Sequence, residues 1–361
     1  MGNKIKSLGK NKNSLMGFIN YGIIILFFAV IMIVKSAGVL TNALAGQLIP
    51  ICAYIVMALS LNLVVGISGE LSLGHAGFMS VGAFSGVIVS GAMNYGGIAN
   101  GAIRLIVAMI VGAILAGIAG VIIGIPVLRL RGDYLAIVTL AFGEIIKNVL
   151  NCLYVGVDKA GLHFSVTDEA HMDMAADGLT LVRGPMGAVG VIKVSTFLAG
   201  IILILITLFV IQNLVNSRSG RAIMAIRDNR IAAEATGINV TKYKMIAFVM
   251  SAVIAGAAGA LYGLNYSTIV PKKFDFNTSI LILVFVVLGG IGNLTGSIIA
   301  AALLTVLPEI FRPFQDYRML VYAIVLILVM IATNNEKLRA FWKRIGGIFR
   351  KKGGEVNEQQ S

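Results

Sequence analysis

Polar side chains inside long apolar runs are the residues of this chain that could do chemistry. Glu144 and Lys147 are three residues apart, a spacing at which they can neutralise each other on a helix, so we expect a structural ion pair. Polar groups are costly in apolar surroundings and are therefore site candidates. For four of them two interpretations stay open, a polar path or gate and hydrogen bonding between helices: Asn62, Ser72, His75 and Thr139.

Enzyme motifs are missing from the sequence. There is no G-x-x-x-x-G-K-[ST] phosphate loop, so the chain is not expected to bind ATP itself. His75, His163 and His171 are too scattered for a metal site, and Cys52 and Cys152 lie in apolar segments without metal-ligand spacing. The sequence therefore predicts a protein that is not an enzyme and needs no cofactor.

An arginine-rich segment, residues 217–244, is the most informative polar stretch. Helix-forming residues and an apolar stripe predict a short helix, a turn and a second short helix, with Gly237 where a helix would end. A basic loop of this kind can simply fix membrane orientation. Its helical pattern also suits a rigid element that docks into a partner protein.

The composition indicates a membrane environment for these residues. Of 361 residues, 58% are hydrophobic and only 12% are charged, and the mean hydropathy is +0.93. Soluble domains carry about 25% charged residues. A cytosolic enzyme, a disordered chain and a secreted disulfide scaffold are thereby excluded. The net charge of +13 does not indicate nucleic-acid binding, because the basic residues lie between apolar runs and near the termini.

The fold class predicted is an all-α polytopic membrane protein. A spanning helix needs about 20 largely apolar residues, and ten runs approach or reach that length. Five spans followed by five that start from the opposite side would also fit an inverted repeat. The predicted spans are 18–34, 39–65, 71–91, 104–125, 134–154, 194–214, 245–266, 278–290, 296–310 and 318–333.

The distribution of Lys and Arg predicts the orientation and the domains. With ten spans, the basic segments all fall on one side, which the positive-inside rule makes cytoplasmic. Both termini are then cytoplasmic and the acidic loop 155–193 is extracytoplasmic. The predicted divisions are a basic N-terminus (1–17), a transmembrane domain (18–333) with a cytoplasmic loop at 217–244, and an amphipathic cytoplasmic tail (334–361).

Small residues recur every four positions on three predicted helices and predict close helix packing. The three seams are Gly82, Gly86 and Ser90; Gly112, Ala116, Gly120 and Gly124; and Ala255, Gly259 and Gly263.

Several motifs together resemble the branched-chain amino acid permease family of the LivM type, over about residues 40 to 333. They are LNLVVG at 61–66, GELSLGHAGF at 69–78, RLRGDYLAIVTLAFGEI at 129–145 and VLGGIGNLTG at 287–296. The sequence AAEATG at 232–237 resembles the core of the coupling loop of ABC-importer permeases. Two positions depart from the family pattern: Glu70 replaces an expected Gln, and Arg230 stands where an acidic residue is common.

The resemblance implies a permease subunit that imports branched-chain amino acids across a prokaryotic cell membrane. Its implied partners are a second related permease, two cytoplasmic ATP-binding subunits and an extracytoplasmic substrate-binding protein. Five residues of the arginine-rich segment are expected to couple ATP hydrolysis to transport: Arg221, Arg227, Ala233, Glu234 and Gly237.

Two alternatives are open at this point. Urea and short-chain amide permeases share these motifs, so the substrate class is not fixed by them. An ion-coupled secondary transporter would need no ATPase, but it predicts paired acidic residues deep in the membrane. Only Glu144 lies well inside a predicted span.

Overall fold

The computed structural model describes residues 21–22, 24–29, 31–32, 42–130, 132–172, 174–175, 178–311, 320, 323–324 and 327. The predicted N-terminal segment 1–17 and the tail 334–361 lie outside these residues. Two compact units divide the chain, 1–305 and 306–361. The first unit holds the described helices and strands, apart from the end of the final helix beyond residue 305.

The described residues 21–22, 24–29 and 31–32 are helical, and four helices with complete bounds follow them in the first half of the described chain. They are α1 (Asn42–Asn62), α2 (His75–Tyr95), α3 (Gly101–Val127) and α4 (Asp133–Asn151). A π-helix at Leu63–Ser68 continues α1, and Gly69 then turns the chain with a positive φ of 75°. Only a residue without a Cβ adopts that conformation easily.

Six further helices follow a region rich in strands. They are α5 (Phe197–Asn216), α6 (Arg218–Asp228), α7 (Arg230–Ala235), α8 (Val240–Gly263), α9 (Phe276–Gly289) and α10 (Leu294–Ile310). The predicted helix–turn–helix of the arginine-rich segment is confirmed as α6 and α7.

Five short strands of the described residues lie between helices, in segments for which the sequence predicted no structure. Strands β1 (Tyr154–Asp158), β2 (Gly161–Ser165) and β3 (Leu179–Arg183) form an antiparallel sheet in the order β2-β1-β3. Strands β4 (Ala188–Val189) and β5 (Thr268–Ile269) form an antiparallel pair. The predicted loop 155–193 is therefore a small folded element.

Six described helical segments are long and apolar enough to cross a membrane, and α9 and α10 are shorter apolar helices. This confirms a mostly helical polytopic membrane protein. Eight of the ten predicted runs coincide with α1 to α5 and α8 to α10. The boundary of the third run was wrong: α2 begins at His75 and not at residue 71, because the preceding turn includes Gly69 in the left-handed region.

Helices α2, α3 and α8 pack against one another through the predicted glycine seams. A Cβ on Gly82 would collide with the carbonyl of Gly256, and a Cβ on Gly259 would collide with that of Met79. Gly112 would bring a Cβ to 3.0 Å from the carbonyl oxygen of Gly82. The seams therefore let three backbones approach closely, as is typical of helix packing in lipid.

The two ends of this bundle differ in character. At the arginine-rich end, helix α6 lies beside the π-helix 63–68, whose Gly66 carbonyl accepts a hydrogen bond from Arg227. At the strand end, the sheet packs on α2, where Gly91 leaves room for Leu181 of β3. The strand end also holds the first turn of α3, which begins at Gly101.

Candidate functional site

Helices α6, α7 and α8 form a compact unit at the arginine-rich end. Each helix begins with a side-chain cap: Ser217 Oγ accepts from the Gly220 N–H at 3.1 Å, Asn229 Oδ1 from Ala232 at 3.0 Å and Asn239 Oδ1 from Lys242 at 3.0 Å. Such caps satisfy the free N–H groups of a first turn. A buried apolar cluster joins the three helices, and its members are Ile226, Ala233 and Val240, with Ile238 and Tyr243 packed against it.

Gly237 ends α7 as the sequence predicted. Its φ is +81°, and its N–H donates to Glu234 O at 3.0 Å. The Ile238 N–H donates to Ala233 O at 3.1 Å and so closes the turn. These two bonds satisfy carbonyls that a helix end otherwise leaves free. Gly237 therefore sets the direction in which the chain enters α8.

Two polar contacts connect this unit to the turn that follows α1. The Arg227 guanidinium donates through Nη1 to Gly66 O at 3.0 Å. Gly69 makes room for the same side chain, since a Cβ there would lie 2.6 Å from Arg227 Cγ. Lys244, in the first turns of α8, pairs with Glu70. Both contacts attach α6 and the start of α8 to residues 66–70.

The outer face of α6 and α7 is open. Ile231 is 79% exposed, which is high for an isoleucine, and it lies next to Arg230, whose Nε donates to Glu234 Oε1 at 2.9 Å. Arg221 is also exposed and donates through Nη1 to Asn216 O at 3.0 Å. This face therefore presents an apolar side chain among charged groups.

Asn62 fastens the end of α1 to the turn between α9 and α10. It is fully buried, its Oδ1 accepts from the Gly292 N–H at 2.8 Å, and its Nδ2 donates to Ser297 Oγ at 2.9 Å. A Cβ on Gly66 would collide with the Asn62 amide and with the Gly292 backbone. Of the two interpretations left open for Asn62, these contacts are those of helix-to-helix hydrogen bonding.

His75 lies in a buried polar cluster formed by three helices. It is 1% exposed, and its Nε2 lies 2.9 Å from Ser60 Oγ of α1 and 3.4 Å from Ser251 Oγ of α8. Ser60 and Ser251 are also hydrogen-bonded to each other: Ser251 Oγ donates to Ser60 O at 2.8 Å. The other ring nitrogen, Nδ1, is buried and has no hydrogen-bond partner within the described ranges.

Ser72 and Thr139 lie close to His75 along the chain or in space. Ser72 is 1% exposed, and its Oγ also has no partner among the described residues. Thr139 Oγ1 accepts from the Leu73 N–H at 3.1 Å and donates to Ala136 O at 2.9 Å. The structure therefore brings Ser72, His75 and Thr139 together around the start of α2, two of them with an unused buried polar atom.

Several polar contacts of the site were not found from the sequence. Ser60 and Ser251 carried no signal, since serines are frequent between packed membrane helices. The Glu70–Lys244 pair joins residues 174 positions apart, and the departure of Glu70 from the family pattern does not indicate its partner. The expected Glu144–Lys147 ion pair is present. Among the residues described, no group of three His, Cys, Asp or Glu side chains could hold a metal ion.

Comparison with known proteins places this geometry in context. The model of the family "branched-chain amino acid transport system / permease component" matches residues 43–330. The high-affinity branched-chain amino acid transport system permease protein LivM of Escherichia coli K12 is 36% identical over 291 residues, which cover 77% of this chain. A probable LivM of Methanocaldococcus jannaschii is 27% identical, over 72% of this chain and 79% of its own length.

A second type of relative is also similar. The permease protein LivH of Escherichia coli K12 is 25% identical over 77% of this chain and 88% of its own length. The alignment to the Escherichia coli LivM spans only 66% of that protein, which is just under two thirds. No solved structure matches this chain.

Proposed function

Because the chain belongs to the branched-chain amino acid transport system permease family, we propose that it is the permease subunit of an ABC importer for leucine, isoleucine and valine. Its partners in this proposal are a second permease related to it, two cytoplasmic ATP-binding subunits and an extracytoplasmic binding protein. The similarity to relatives named both LivM and LivH supports a pair of related permeases. The protein lies in a prokaryotic cell membrane.

One observation carries the proposal: the α6–α7 unit is capped, packed and tied to residues 66–70, yet it leaves Ile231 exposed. A loop that only fixed the orientation of the protein in the membrane would need positive charge, but it would not need capped and packed helices. A docking element needs an apolar anchor surrounded by polar contacts, and Ile231 beside Arg230 and Glu234 has that composition. ATP-driven closure of the ATPase pair would move α6 and α7, and Arg227 and Lys244 would pass that motion to the spans.

The orientation and the full helix count are parts of the same proposal. The arginine-rich end is cytoplasmic and the strand end is extracytoplasmic, where the binding protein would dock on the sheet. This follows the positive-inside rule, since Arg218, Arg221, Arg227 and Arg230 all lie on α6 and α7. Ten spans with both termini inside, arranged as two inverted sets of five, fit this orientation.

The docking role is tested by an Ile231 variant. The full chain is co-expressed with its predicted partners and purified in detergent, and Ile231→Asp is compared with Ile231→Leu. We expect Ile231→Asp to lose the ATPase subunits while the permease stays monodisperse, because the exposed side chain contributes nothing to its core. Retention of the ATPase subunits by Ile231→Asp would contradict docking at this face.

Substrate and energy source are tested in proteoliposomes. ATP enclosed with the assembled complex should drive leucine uptake that valine competes with and urea does not. Competition by urea would favour the short-chain amide alternative. Accumulation driven by a Na⁺ or H⁺ gradient through this chain alone would instead support a secondary transporter and overturn the proposal.

We further propose that Ser72 and His75 face a gate at the cytoplasmic end of the substrate path, with Thr139 positioning the turn between them. Their unused polar atoms support this, because buried groups without partners are rare and need an explanation. A cysteine at position 72 should react with a thiol reagent at rates that change when nucleotide is bound. Ser80→Cys is the matched control, because Ser80 is equally buried but donates within its own helix to Gly77 O.

The background for that experiment is favourable. Cys152 is exposed and is first replaced by Ser, whereas Cys52 is buried and can be kept. Equal labelling rates at position 72 with and without nucleotide would contradict the gate.

A further inference from the structure

A buried arginine at the strand end has no anionic partner in the part of the chain that the structure describes. Arg104, in the first turn of α3, is 3% exposed. Its Nε and Nη2 donate to Ser90 Oγ at 3.3 and 3.0 Å, and its Nη1 donates to Asn94 Oδ1 at 2.8 Å. Both acceptors are neutral. A buried charge is expensive unless an opposite charge compensates it, and no described residue supplies that charge to this guanidinium.

The guanidinium keeps donors for a ligand. It carries five N–H groups, and the three hydrogen bonds to Ser90 and Asn94 use three of them. One N–H on each Nη atom is left, which is the number that a carboxylate accepts in a bidentate pair. Ser90 and Asn94 also fix the orientation of the guanidinium, so little side-chain freedom would be lost on binding.

Arg104 lines a cavity between α2, the start of α3 and the strands. The volume is about 110 Å³, of the order of a cavity that holds one small organic molecule. The polar lining consists of Ser90, Asn94, Arg104 and Thr180, and the apolar lining is mainly branched aliphatic: Val87, Leu179, Leu181, Val189, Val191 and Ile192. Gly91 forms part of the wall and lets Leu181 come close to α2.

A guanidinium beside a branched aliphatic wall is the complement of an acid with a branched aliphatic chain. We propose that this cavity binds a branched-chain amino acid at the extracytoplasmic end of the permease, with Arg104 holding the α-carboxylate and the aliphatic wall holding the side chain. The assignment rests on the proposed function for its substrate class. It adds that substrate is bound by the permease itself before it enters the membrane part of its path.

The test must isolate the contribution of the leucine carboxylate to binding. Full-length protein in nanodiscs of neutral lipid is titrated with radiolabelled L-leucine and, by competition, with L-leucinamide, which carries an amide in place of the carboxylate. We expect wild type to prefer leucine. Arg104→Gln should raise the Kd for leucine by about tenfold or more, because charge-assisted hydrogen bonds are the strong ones, and should leave the Kd for leucinamide within about twofold.

Two further variants control for a general charge effect and test the aliphatic wall of the cavity. Lys193→Gln removes a positive charge from an exposed residue next to the cavity lining and should leave leucine binding unchanged. Val191→Phe fills the aliphatic wall without touching the arginine and should weaken both ligands. If Arg104→Gln is not monodisperse, the leucine affinities of Val191→Phe and Lys193→Gln are compared instead. Weaker binding by Val191→Phe alone would support binding in this cavity, and equal binding by both variants would contradict it.

Three outcomes would overturn the inference. They are no detectable leucine binding to wild type, equal affinity for leucine and leucinamide, and loss of leucine binding when anionic lipid replaces neutral lipid. Loss of leucine binding in anionic lipid would mean that a lipid headgroup, and not an amino acid, binds the Arg104 guanidinium. ATP-driven uptake by the assembled complex is measured in parallel. Normal uptake with any of these three outcomes rejects this site only, whereas absent uptake by wild type rejects the proposed function.

Discussion

Arg227 donates through Nη1 to the main-chain carbonyl of Gly66 at 3.0 Å, across 161 positions of sequence. Gly66 belongs to a π-helix, a form that is rare and often marks functional positions. The acceptor is a backbone atom of a span and not a side chain, so a movement of α6 acts on the helix itself. This contact joins the proposed docking unit to the backbone of a membrane helix.

Replacing Arg227 should uncouple transport from ATP hydrolysis. We expect Arg227→Met to lower ATP-driven leucine uptake several-fold while ATPase activity in the complex persists, because a hydrogen bond from a charged group is worth roughly 1.5–3 kcal/mol. Arg221→Met is the matched control, since the Arg221 side chain bonds Asn216 O just before α6 and, among the described residues, does not contact Gly66. Equal losses in both variants would point to a general charge effect and against the link to Gly66.

Substitutions at the end of α7 should also reduce the coupling of uptake to ATP hydrolysis. Gly237→Asp and Glu234→Lys are expected to leave folding intact but to reduce uptake per ATP hydrolysed. A Cβ at Gly237 meets no atom within 4 Å, although a side chain at its φ of +81° strains the turn locally. Glu234 is exposed and contacts Arg230, so both changes act on the turn and not on the buried core. Gly237→Asn serves as a control because Asn tolerates positive φ and adds no charge. Unchanged uptake in vesicles with the full complex would exclude a role for this turn.

Close packing at the glycine seam between α2 and α8 should contribute to the free energy of unfolding. Gly259→Ala places a methyl group against the carbonyl of Met79 and should lower the free energy of unfolding by about 1–3 kcal/mol, as overpacking does. Gly46→Ala meets nothing within 4 Å and should be neutral or slightly stabilising, since Ala is the better helix former. Thermal unfolding in detergent compares the two variants, and similar melting temperatures would contradict the packing described.

The folded strand element should lose stability in acid. Asp158 accepts main-chain hydrogen bonds from Ala175, Ala160 and Gly161, and it lies 3.0 Å from His163 Nε2. These contacts, the Ala175 N–H foremost, lower the pKa of the Asp158 carboxyl from 3.8 to about 2. A lowered carboxyl pKa stabilises the fold above the ordinary value, and that contribution is lost as the pH falls from about 4 through about 2.

Hydrogen exchange over residues 154–165 at pH 5, 3 and 2 measures that loss. Asp158→Asn should remove most of the pH dependence in this range, since the amide cannot ionise. Thr180→Val is a suitable control, because Thr180 bonds Glu169 and not Asp158. A wild-type profile identical to that of Asp158→Asn would contradict a stabilising carboxylate.

Features with a local cause were predicted well from the sequence. The apolar runs became α1 to α5 and α8 to α10, and Gly237 ended α7 where the pattern placed it. The start of α2 was misplaced by four residues because hydropathy does not register the left-handed turn at Gly69. The strands of 154–189 were missed because their burial follows from pairing across the sheet and not from a repeat along the chain.

By itself, the sequence determined that this chain is a helical membrane protein with glycine seams and a basic helix pair that ends at Gly237. Apolar run length, small-residue spacing and a helix-ending glycine act within a few turns, so their consequences can be read along the chain. Only the tertiary structure decided which polar groups meet. Arg227 with Gly66, Lys244 with Glu70, and Arg104 with its cavity all join distant positions. The partner of a buried polar group depends on which surfaces pack together, and that is settled only when the helices assemble.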